Sequence, residues 1–205
     1  MIFANFFLHQ REPIMRKANY DDKKQIISIL TQSFESNQSV NYIVKPDSKR
    51  LARISALMDY SFEMCYLFGD LLLSDDNTAC ALILYPDRKK TSLKSIWLDI
   101  KLLIKSIGIF RIGKAMGREA KIKELQPDEL MTYLWFIGVN PKYQGLGKGS
   151  SLMNEIIGES NKLKRPIYLE TSTIKNLPWY QKFGFEIYNE LELTYKLYFL
   201  KRNMI

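Results

Sequence analysis

The chain has 205 residues, of which 46% are hydrophobic and 25% charged, so its composition excludes a disordered or fibrous protein and fits one globular domain. Thirty Lys and Arg against 22 Asp and Glu give a net charge of +8, which suits an anionic partner: nucleic acid, an anionic membrane surface or a phosphorylated cofactor. Cys65 and Cys80 form no CxxC pair and His9 is the only histidine, which excludes a zinc site and argues against a Ser-His-Asp or Cys-His centre.

The first 14 residues are apolar at their start but have neither the basic flank nor the small-residue cleavage site of a signal peptide. We interpret them as an extension before a domain over residues 15–205. Since no apolar run reaches the roughly 20 residues of a membrane span, we expect a cytoplasmic protein. The scarcity of Cys and His leads us to expect no metal.

The first half of the domain predicts two helices and a hairpin. Asn19 is a helix N-cap ahead of apolar residues at helical spacing, and residues 48–68 predict a second helix that Gly69 ends. Strands are predicted over 71–74 and 78–85, on either side of a turn-prone Asp-Asp-Asn.

From Leu93 to about residue 115 the pattern predicts a basic amphipathic helix. Its apolar residues recur at intervals of three and four, with Lys94, Lys101 and Lys105 between them: Ile96, Trp97, Ile100, Leu103, Ile104 and Ile107. We expect this apolar side to pack on the core and the lysines to face solvent, while a membrane-surface or substrate-covering role stays open.

The last third alternates strands and helices. The expected strands are 132–139, 166–171, 185–193 and 195–200, and the expected helices are 147–163 and 177–183. With no internal repeat or linker, a mixed central sheet flanked by helices in one α/β (α+β) domain is the simplest architecture.

A glycine-rich turn between the 132–139 strand and the next helix is the most informative motif. Glycines let backbone N–H groups approach an anion, and the helix N-terminus adds its positive dipole, so a phosphate or pyrophosphate is the expected occupant. A Walker A loop would need Ser or Thr where Gly149 stands, and a Rossmann fingerprint would need Gly where Ser150 stands. The turn does match Gln-x-x-Gly-x-Gly, from Gln144 through Gly147 to Gly149.

That motif resembles the pyrophosphate signature of the GNAT superfamily of acetyl-CoA-dependent N-acetyltransferases. Further along, Asn176 and Tyr180 precede Gly184-Phe185, similar to a later GNAT motif. Within the superfamily, the Leu-Glu-Thr-Ser of 169–172 and the Asn-Leu-Pro of 176–178 are most similar to puromycin N-acetyltransferases. The resemblance covers about residues 132–190 and implies a GNAT fold, with two central parallel strands that splay apart.

The resemblance also implies roles for individual residues. Tyr180 would lie beside the sulfur of the coenzyme as general acid, and Asn176 would contact its arm. The backbone and loop positions expected to bind acetyl-CoA are Ile137, Gly138, Val139, Gln144, Gly145, Leu146, Gly147, Lys148, Gly149 and Ser150.

Direct attack of an amine on the thioester needs a base, an oxyanion donor and an acid. A phenol is protonated at neutral pH and can protonate a departing thiolate, which suits Tyr180. Strand amides near Ile137 or Val139 are candidate oxyanion donors. Glu170 is the candidate base, although a solvated or salt-bridged carboxylate is an equal interpretation, and Tyr133 is a poorer one.

We therefore expect transfer of acetyl from acetyl-CoA to a primary amine of a small molecule. A non-catalytic acyl-CoA-binding sensor is the alternative. Nucleic-acid binding is not expected, since the basic residues form no Arg-rich helix or RNA-binding signature, and the oligomeric state, homodimer or not, stays open.

Overall fold

The computed structural model describes residues 15–204, so predictions that concern residues 1–14, including His9, lie outside the described residues. The described residues form a seven-stranded mixed sheet with helices on both faces. The strands are β1 (Met15–Lys17), β2 (Gly69–Ser74), β3 (Ala79–Leu84), β4 (Thr132–Val139), β5 (Ile167–Thr171), β6 (Glu186–Glu192) and β7 (Lys196–Arg202). The helices are α1 (Lys23–Ser33), α2 (Gln38–Ile43), α3 (Arg50–Phe68), α4 (Leu93–Leu102), α5 (Ile112–Leu125), α6 (Lys148–Lys162) and α7 (Leu177–Lys182).

The spatial order of the strands is β1-β2-β3-β4-β5-β7-β6, and β4–β5 is the one parallel pair of the described sheet. That pair registers only Thr132 with Ile167 and Tyr133 with Tyr168, after which the two strands separate. The remaining neighbouring strands are antiparallel, and β2–β3 and β6–β7 are hairpins. The predicted mixed sheet with splayed parallel strands is confirmed.

Apolar clusters form on both faces of β2 and β3, because the central residues of both strands are apolar. Leu71 and Leu73 face one side and pack with α1 and α3, whereas Leu72 faces the other and packs with α6. A strand buried on both faces reads as a continuous apolar run, which is the sequence seen here.

The structure corrects the prediction for the basic amphipathic helix. Ile96, Trp97, Ile100 and Ile104 are exposed, and α4 packs through Leu98 and Leu102 instead. Of the predicted apolar residues, only Ile107 is buried and Leu103 half-buried, and both lie beyond the end of α4. The helix is also shorter than expected, because a wide turn over 103–107 and Gly108, at φ +79°, interrupt it before α5 begins. Apolar residues lie on more than one side of α4, so a spacing of three and four residues does not by itself identify the side that packs on the core.

Candidate active site

A β-bulge in β4 sets the direction of its backbone groups. Leu82 of β3 pairs with Phe136 and the next residue, Ile83, pairs with Leu134, so Trp135 is an extra residue in β4. An extra residue in one strand changes which groups of the following residues face each neighbour. The bulge lies just after the point where β4 and β5 stop pairing.

Beyond the bulge, alternate residues of β4 turn their backbone groups toward the gap left by β5. The N–H of Asn140 donates to the carbonyl of Thr78 at the start of β3, 2.8 Å away. Because strand residues alternate in direction, Ile137 and Val139 then point away from β3. The carbonyl of Val139 accepts hydrogen bonds from Ser33 (2.8 Å) and Gln144 (3.1 Å), and neither donor belongs to the sheet.

The glycine-rich turn follows β4 directly and leads into α6. Gly145 and Gly147 have φ of +79° and +78°, and a Cβ at either position would meet no atom within 4 Å. Gly147 is the N-cap of α6 and supplies no side chain to its first N–H groups. Those N–H groups and the dipole of the 15-residue helix make this end of the molecule a site suited to an anion.

Side chains of the turn are held by neighbouring elements. The ammonium of Lys148 pairs with Asp76 in the β2–β3 turn, and Ser150 accepts a hydrogen bond from the indole of Trp179 at 3.3 Å. A Cβ added at Gly149 would lie 3.5 Å from the same indole ring. The turn is therefore packed against α7 on one side and open on the other.

A cleft of about 1630 Å³ connects the glycine-rich turn with the gap between β4 and β5. It exceeds the roughly 300–1,000 Å³ of a single small-molecule site. Both candidate catalytic residues and every candidate cofactor residue except Leu146 line it. Leu146 is exposed to solvent, so the structure brings together all of the proposed positions but that one.

Tyr180 lies in this cleft on α7. Its ring packs edge-on against Trp179 and Phe185, with centroids 4.9 and 5.7 Å away, and the residue is buried. Burial raises the pKa of Tyr180 above its usual value, so the hydroxyl is protonated at neutral pH. That hydroxyl forms no hydrogen bond with residues 15–204.

Glu170 lies near the end of β5, where the strand has left β4. Its two carboxylate oxygens accept hydrogen bonds from Gln126 (2.9 Å) and from the hydroxyl of Tyr133 (2.5 Å), and it has no cationic partner within hydrogen-bonding distance in the described chain. Burial raises the pKa of Glu170 although both hydrogen bonds lower it. The carboxylate is thus half-buried, lines the cleft and has no ion pair within residues 15–204.

Tyr133 stays the poorer candidate base in its surroundings. Burial and the neighbouring charge of Glu170 raise the pKa of Tyr133 well above its usual value, so it stays a hydrogen-bond donor. It lies near the start of β4, about 20 Å along the strand from Val139 at roughly 3.3 Å per residue. The cleft therefore has two ends, one at the glycine-rich turn and one beside Tyr133 and Glu170.

Polar residues of α5 and of the segment after it complete this second end, and none of them was predicted from the sequence. Arg118 is nearly buried and donates to Ser39 (2.6 Å) and to the hydroxyl of Tyr195 (3.0 Å), while Glu119 pairs with it from the next position. Gln126 supports Glu170. No local pattern identifies these residues, because their partners are 44 to 79 positions away in the chain.

Three comparisons with known proteins bear on this architecture. Residues 105–187 match a family model described as an acetyltransferase (GNAT) domain. The structure of histone acetyltransferase HPA2 and related acetyltransferase from Corynebacterium glutamicum superposes with a TM-score of 0.69, at 18% identity over 95% of this chain and 98% of that one. Arylalkylamine N-acetyltransferase 2 from Aedes aegypti gives a TM-score of 0.62, at 13% identity over 94% and 99% of the two chains.

The chain has the GNAT fold. An uncharacterized N-acetyltransferase of Schizosaccharomyces pombe is 37% identical over 67 residues, which are 33% of this chain and 27% of that protein. The matched segment thus spans about a quarter of the length of the yeast protein. The GNAT match supports acetyl transfer in general, and GNAT proteins generally use acetyl-CoA.

Two further findings concern residues 15–204. Within residues 15–204 there is no cluster of three His, Cys, Asp or Glu side chains arranged around a metal position. None of the helices in that range has the length and hydropathy to cross a membrane. Cys65 and Cys80 are both buried, and burial raises the pKa of each thiol.

Proposed function

We propose that this protein transfers the acetyl group of acetyl-CoA to a primary amine of a small molecule. The observation that carries the proposal is that one cleft is lined by an anion-suited glycine turn, an open strand edge, a protonated phenol and a carboxylate. These are the groups that direct transfer from a thioester to an amine requires.

The described residues fit acetyl-CoA at the end of the cleft formed by the glycine-rich turn. Gly145 and Gly147 have no side chains, so the space beside the N-terminus of α6 is open. That space suits a pyrophosphate. Ile137 and Val139 turn backbone groups into the gap, where they can hydrogen bond an extended amide chain. Bound acetyl-CoA supplies the acetyl group as an activated thioester.

The side chains supply the proton transfers. Glu170 accepts a proton from the incoming ammonium, directly or through water, and its raised pKa makes it a better base than an ordinary carboxylate. Tyr180 holds a proton at its hydroxyl for the departing thiolate. The N–H of Ile137 or Val139 donates to the carbonyl oxygen as it gains charge.

The shape of the second end of the cleft supports a small acceptor. Walls from α3, α5, β4 and β5 surround it, with Leu57, Tyr60 and Ile122 among the lining residues. Glu119 is paired with Arg118, whereas Glu170 has no ion pair within residues 15–204, so its carboxylate can attract an ammonium ion there. The motif similarity to puromycin N-acetyltransferases favours the same class of acceptor, and an aminonucleoside is one candidate.

The test is a thermal-shift measurement with acetyl-CoA, followed by thiol release with small amines, polyamines, aminonucleosides and histone-like peptides. We expect acetyl-CoA to raise the melting temperature and a small amine to give the fastest specific turnover. Faster turnover on a peptide would contradict the acceptor class. Stabilisation by acetyl-CoA without thiol release from any amine would instead identify an acyl-CoA sensor.

A further inference from the structure

The outer side of α4 is apolar and has no protein cover among the described residues. Ser95, Leu98 and Leu102 face the core, whereas Leu93 (89% exposed), Trp97 (61%) and Ile100 (43%) face solvent. At 3.6 residues per turn these three lie on the side of the helix opposite to the core-facing residues. An exposed apolar stripe of this kind marks an interaction surface rather than a packing surface.

The apolar surface continues past the end of α4. Ile104 is exposed in the wide turn, and beyond Gly108 both Ile109 and Phe110 are exposed, Phe110 completely. Met116 on α5 is exposed as well. Eight large apolar side chains between residues 93 and 116 therefore contact solvent.

The same stretch carries almost all of the net positive charge of the protein. Residues 88–116, called here the 88–116 segment, contain eight Lys and Arg and one acid, Asp99, a net charge of +7. The other 176 residues contain 22 basic and 21 acidic residues, a net charge of +1. The positive charge of the chain is thus local, and it coincides with the exposed apolar residues.

Some of these charges are neutralised by α3 and the others are not. Lys94 and Lys101 pair with Glu63 (3.3 Å) and Asp59 (2.6 Å), which fix α4 on α3, and Asp99 accepts a hydrogen bond from Tyr60. The remaining cations of the segment form no ion pair within residues 15–204: Arg88, Lys89, Lys90, Lys105, Arg111 and Lys114. Arg111 donates instead to the carbonyl of Tyr42.

We propose that the 88–116 segment docks the protein on the surface of an anionic lipid bilayer. The apolar stripe of α4 enters the boundary between headgroups and acyl chains, with Trp97 at that boundary, and the unpaired lysines contact anionic headgroups. This inference is independent of the proposed acetyl transfer.

Charge complementarity favours a bilayer over other occupants. A second copy of the chain would bring one +7 segment against another across a two-fold axis, which like-charge repulsion opposes. Nucleic acid would leave the apolar stripe in contact with phosphates and water. An anionic bilayer satisfies both halves of the surface, because it offers negative headgroups above an apolar interior.

Cosedimentation of the full chain with lipid vesicles tests the proposal. We expect binding to vesicles of phosphatidylcholine with about one third phosphatidylserine, weakening at high salt, and little binding to phosphatidylcholine alone. Trp97→Ser/Ile100→Ser and Lys90→Glu/Lys105→Glu should each reduce binding by about tenfold or more. All four positions are exposed, so the variants should keep the melting temperature of the wild type.

Matched controls change the same chemistry elsewhere. Leu163→Ser/Ile187→Ser removes exposed apolar side chains outside the segment, and Lys24→Glu/Lys164→Glu makes the same change in net charge. Both controls should bind vesicles like the wild type. Equal binding to the two kinds of vesicle, unchanged binding of Trp97→Ser/Ile100→Ser, or equal loss in the controls would overturn the proposal. A dimer that Trp97→Ser/Ile100→Ser converts to monomers, without vesicle binding, would assign the surface to a second copy.

Discussion

Tyr180 lines the cleft and its hydroxyl has no hydrogen bond to residues 15–204, so its loss leaves no partner there unsatisfied. Tyr180→Phe should therefore retain stability and acetyl-CoA affinity, because the ring contacts with Trp179 and Phe185 remain. We expect kcat to fall about 10²-fold, the low end for a lost general acid. The measurement is kcat for both proteins with acetyl-CoA and with a thioester of a more acidic thiol.

The second donor provides the control for that prediction. A better leaving group needs less protonation, so the difference between Tyr180→Phe and wild type should shrink with it. Equal kcat for the two proteins with acetyl-CoA would show that the proton comes from elsewhere. Tyr180 would then be a packing residue only.

Glu170 and Tyr133 can be separated by the pH dependence of kcat/KM. A base acts in its deprotonated form, so activity should be lost as the pH falls through the raised pKa of Glu170. Tyr133→Phe removes a hydrogen bond that lowers this pKa, so the acid limb should move to higher pH. Glu170→Gln should reduce kcat/KM by about 10²-fold or more and abolish that limb.

The pair of variants distinguishes chemistry from packing. If Glu170 only positioned Tyr133, both variants would lower activity at every pH and neither would move the acid limb. The sequence could identify Glu170 as a candidate from its motif, but not its partner Tyr133 in this role. The contact joins two strands 37 residues apart, at the point where they stop pairing, and no local pattern encodes it.

At the scale of elements, the glycine-rich turn offers a test in which the same substitution is made twice on one helix. Gly147→Val forces a β-branched residue to φ +78° beside the expected pyrophosphate, so CoA affinity should fall by about tenfold or more. Gly158→Val lies within the same helix, has open space around its Cβ and lacks a positive φ. Calorimetric titration of both variants with CoA is the measurement.

Gly158→Val should bind CoA like the wild type, at a small cost in helix propensity. Unchanged affinity in a folded Gly147→Val variant would contradict the assignment of the turn to the pyrophosphate. A loss of equal size in both variants would point to a general weakening of α6 rather than to the loop.

Helices and strands were predictable from the sequence where a local pattern of apolar and turn residues determined them. The hairpin of β2 and β3, the turn into α6 and the order of the last strands follow from apolar runs and turn residues, which act locally. The short β1 and α2 were not predicted, since three and six residues give too little periodicity. The orientation of α4 was predicted wrongly, because its outer stripe is more apolar than the side that packs.

At the scale of the whole molecule, a charged cluster connects three helices. Glu63 of α3, almost fully buried, accepts hydrogen bonds from Tyr20 (2.6 Å) and from Lys23 of α1 (2.5 Å), and Lys94 of α4 lies 3.3 Å away. Burial alone would raise the pKa of Glu63, but these partners lower it overall, and the pKa of Asp59 is lowered in the same way by Lys101 and Lys23. The ionised cluster therefore stabilises the folded state.

The sign of the pH dependence follows from the lowered pKa values. A carboxyl whose pKa is lower in the folded protein stabilises it above the unfolded pKa, about 4, and loses that contribution as the pH falls further. Glu63→Gln should reduce the free energy of unfolding by about 2 kcal/mol at neutral pH, and the difference from wild type should shrink below pH ~4. Urea unfolding at several pH values is the measurement.

Glu155→Gln on the exposed side of α6 is the control, since Glu155 forms no ion pair within the described residues. It should unfold like the wild type throughout. A difference between Glu63→Gln and wild type that stayed constant down to pH ~2 would contradict the assignment to ionisation and leave only the packing of Glu63.

The extra residue in β4 fixes the register of the residues that follow it, and with it the backbone groups that face the gap. Regular pairing of the same residues without the bulge would place Trp135 opposite Leu82, and Phe136 and Gly138 would then present their backbone groups to the gap in place of Ile137 and Val139. Loops around the sheet can gain or lose residues without this consequence. Between Phe136 and Val139, a one-residue shift of register exchanges the backbone groups that face the gap for those that face β3, so we expect substitutions after the bulge to be tolerated far more readily than insertions or deletions.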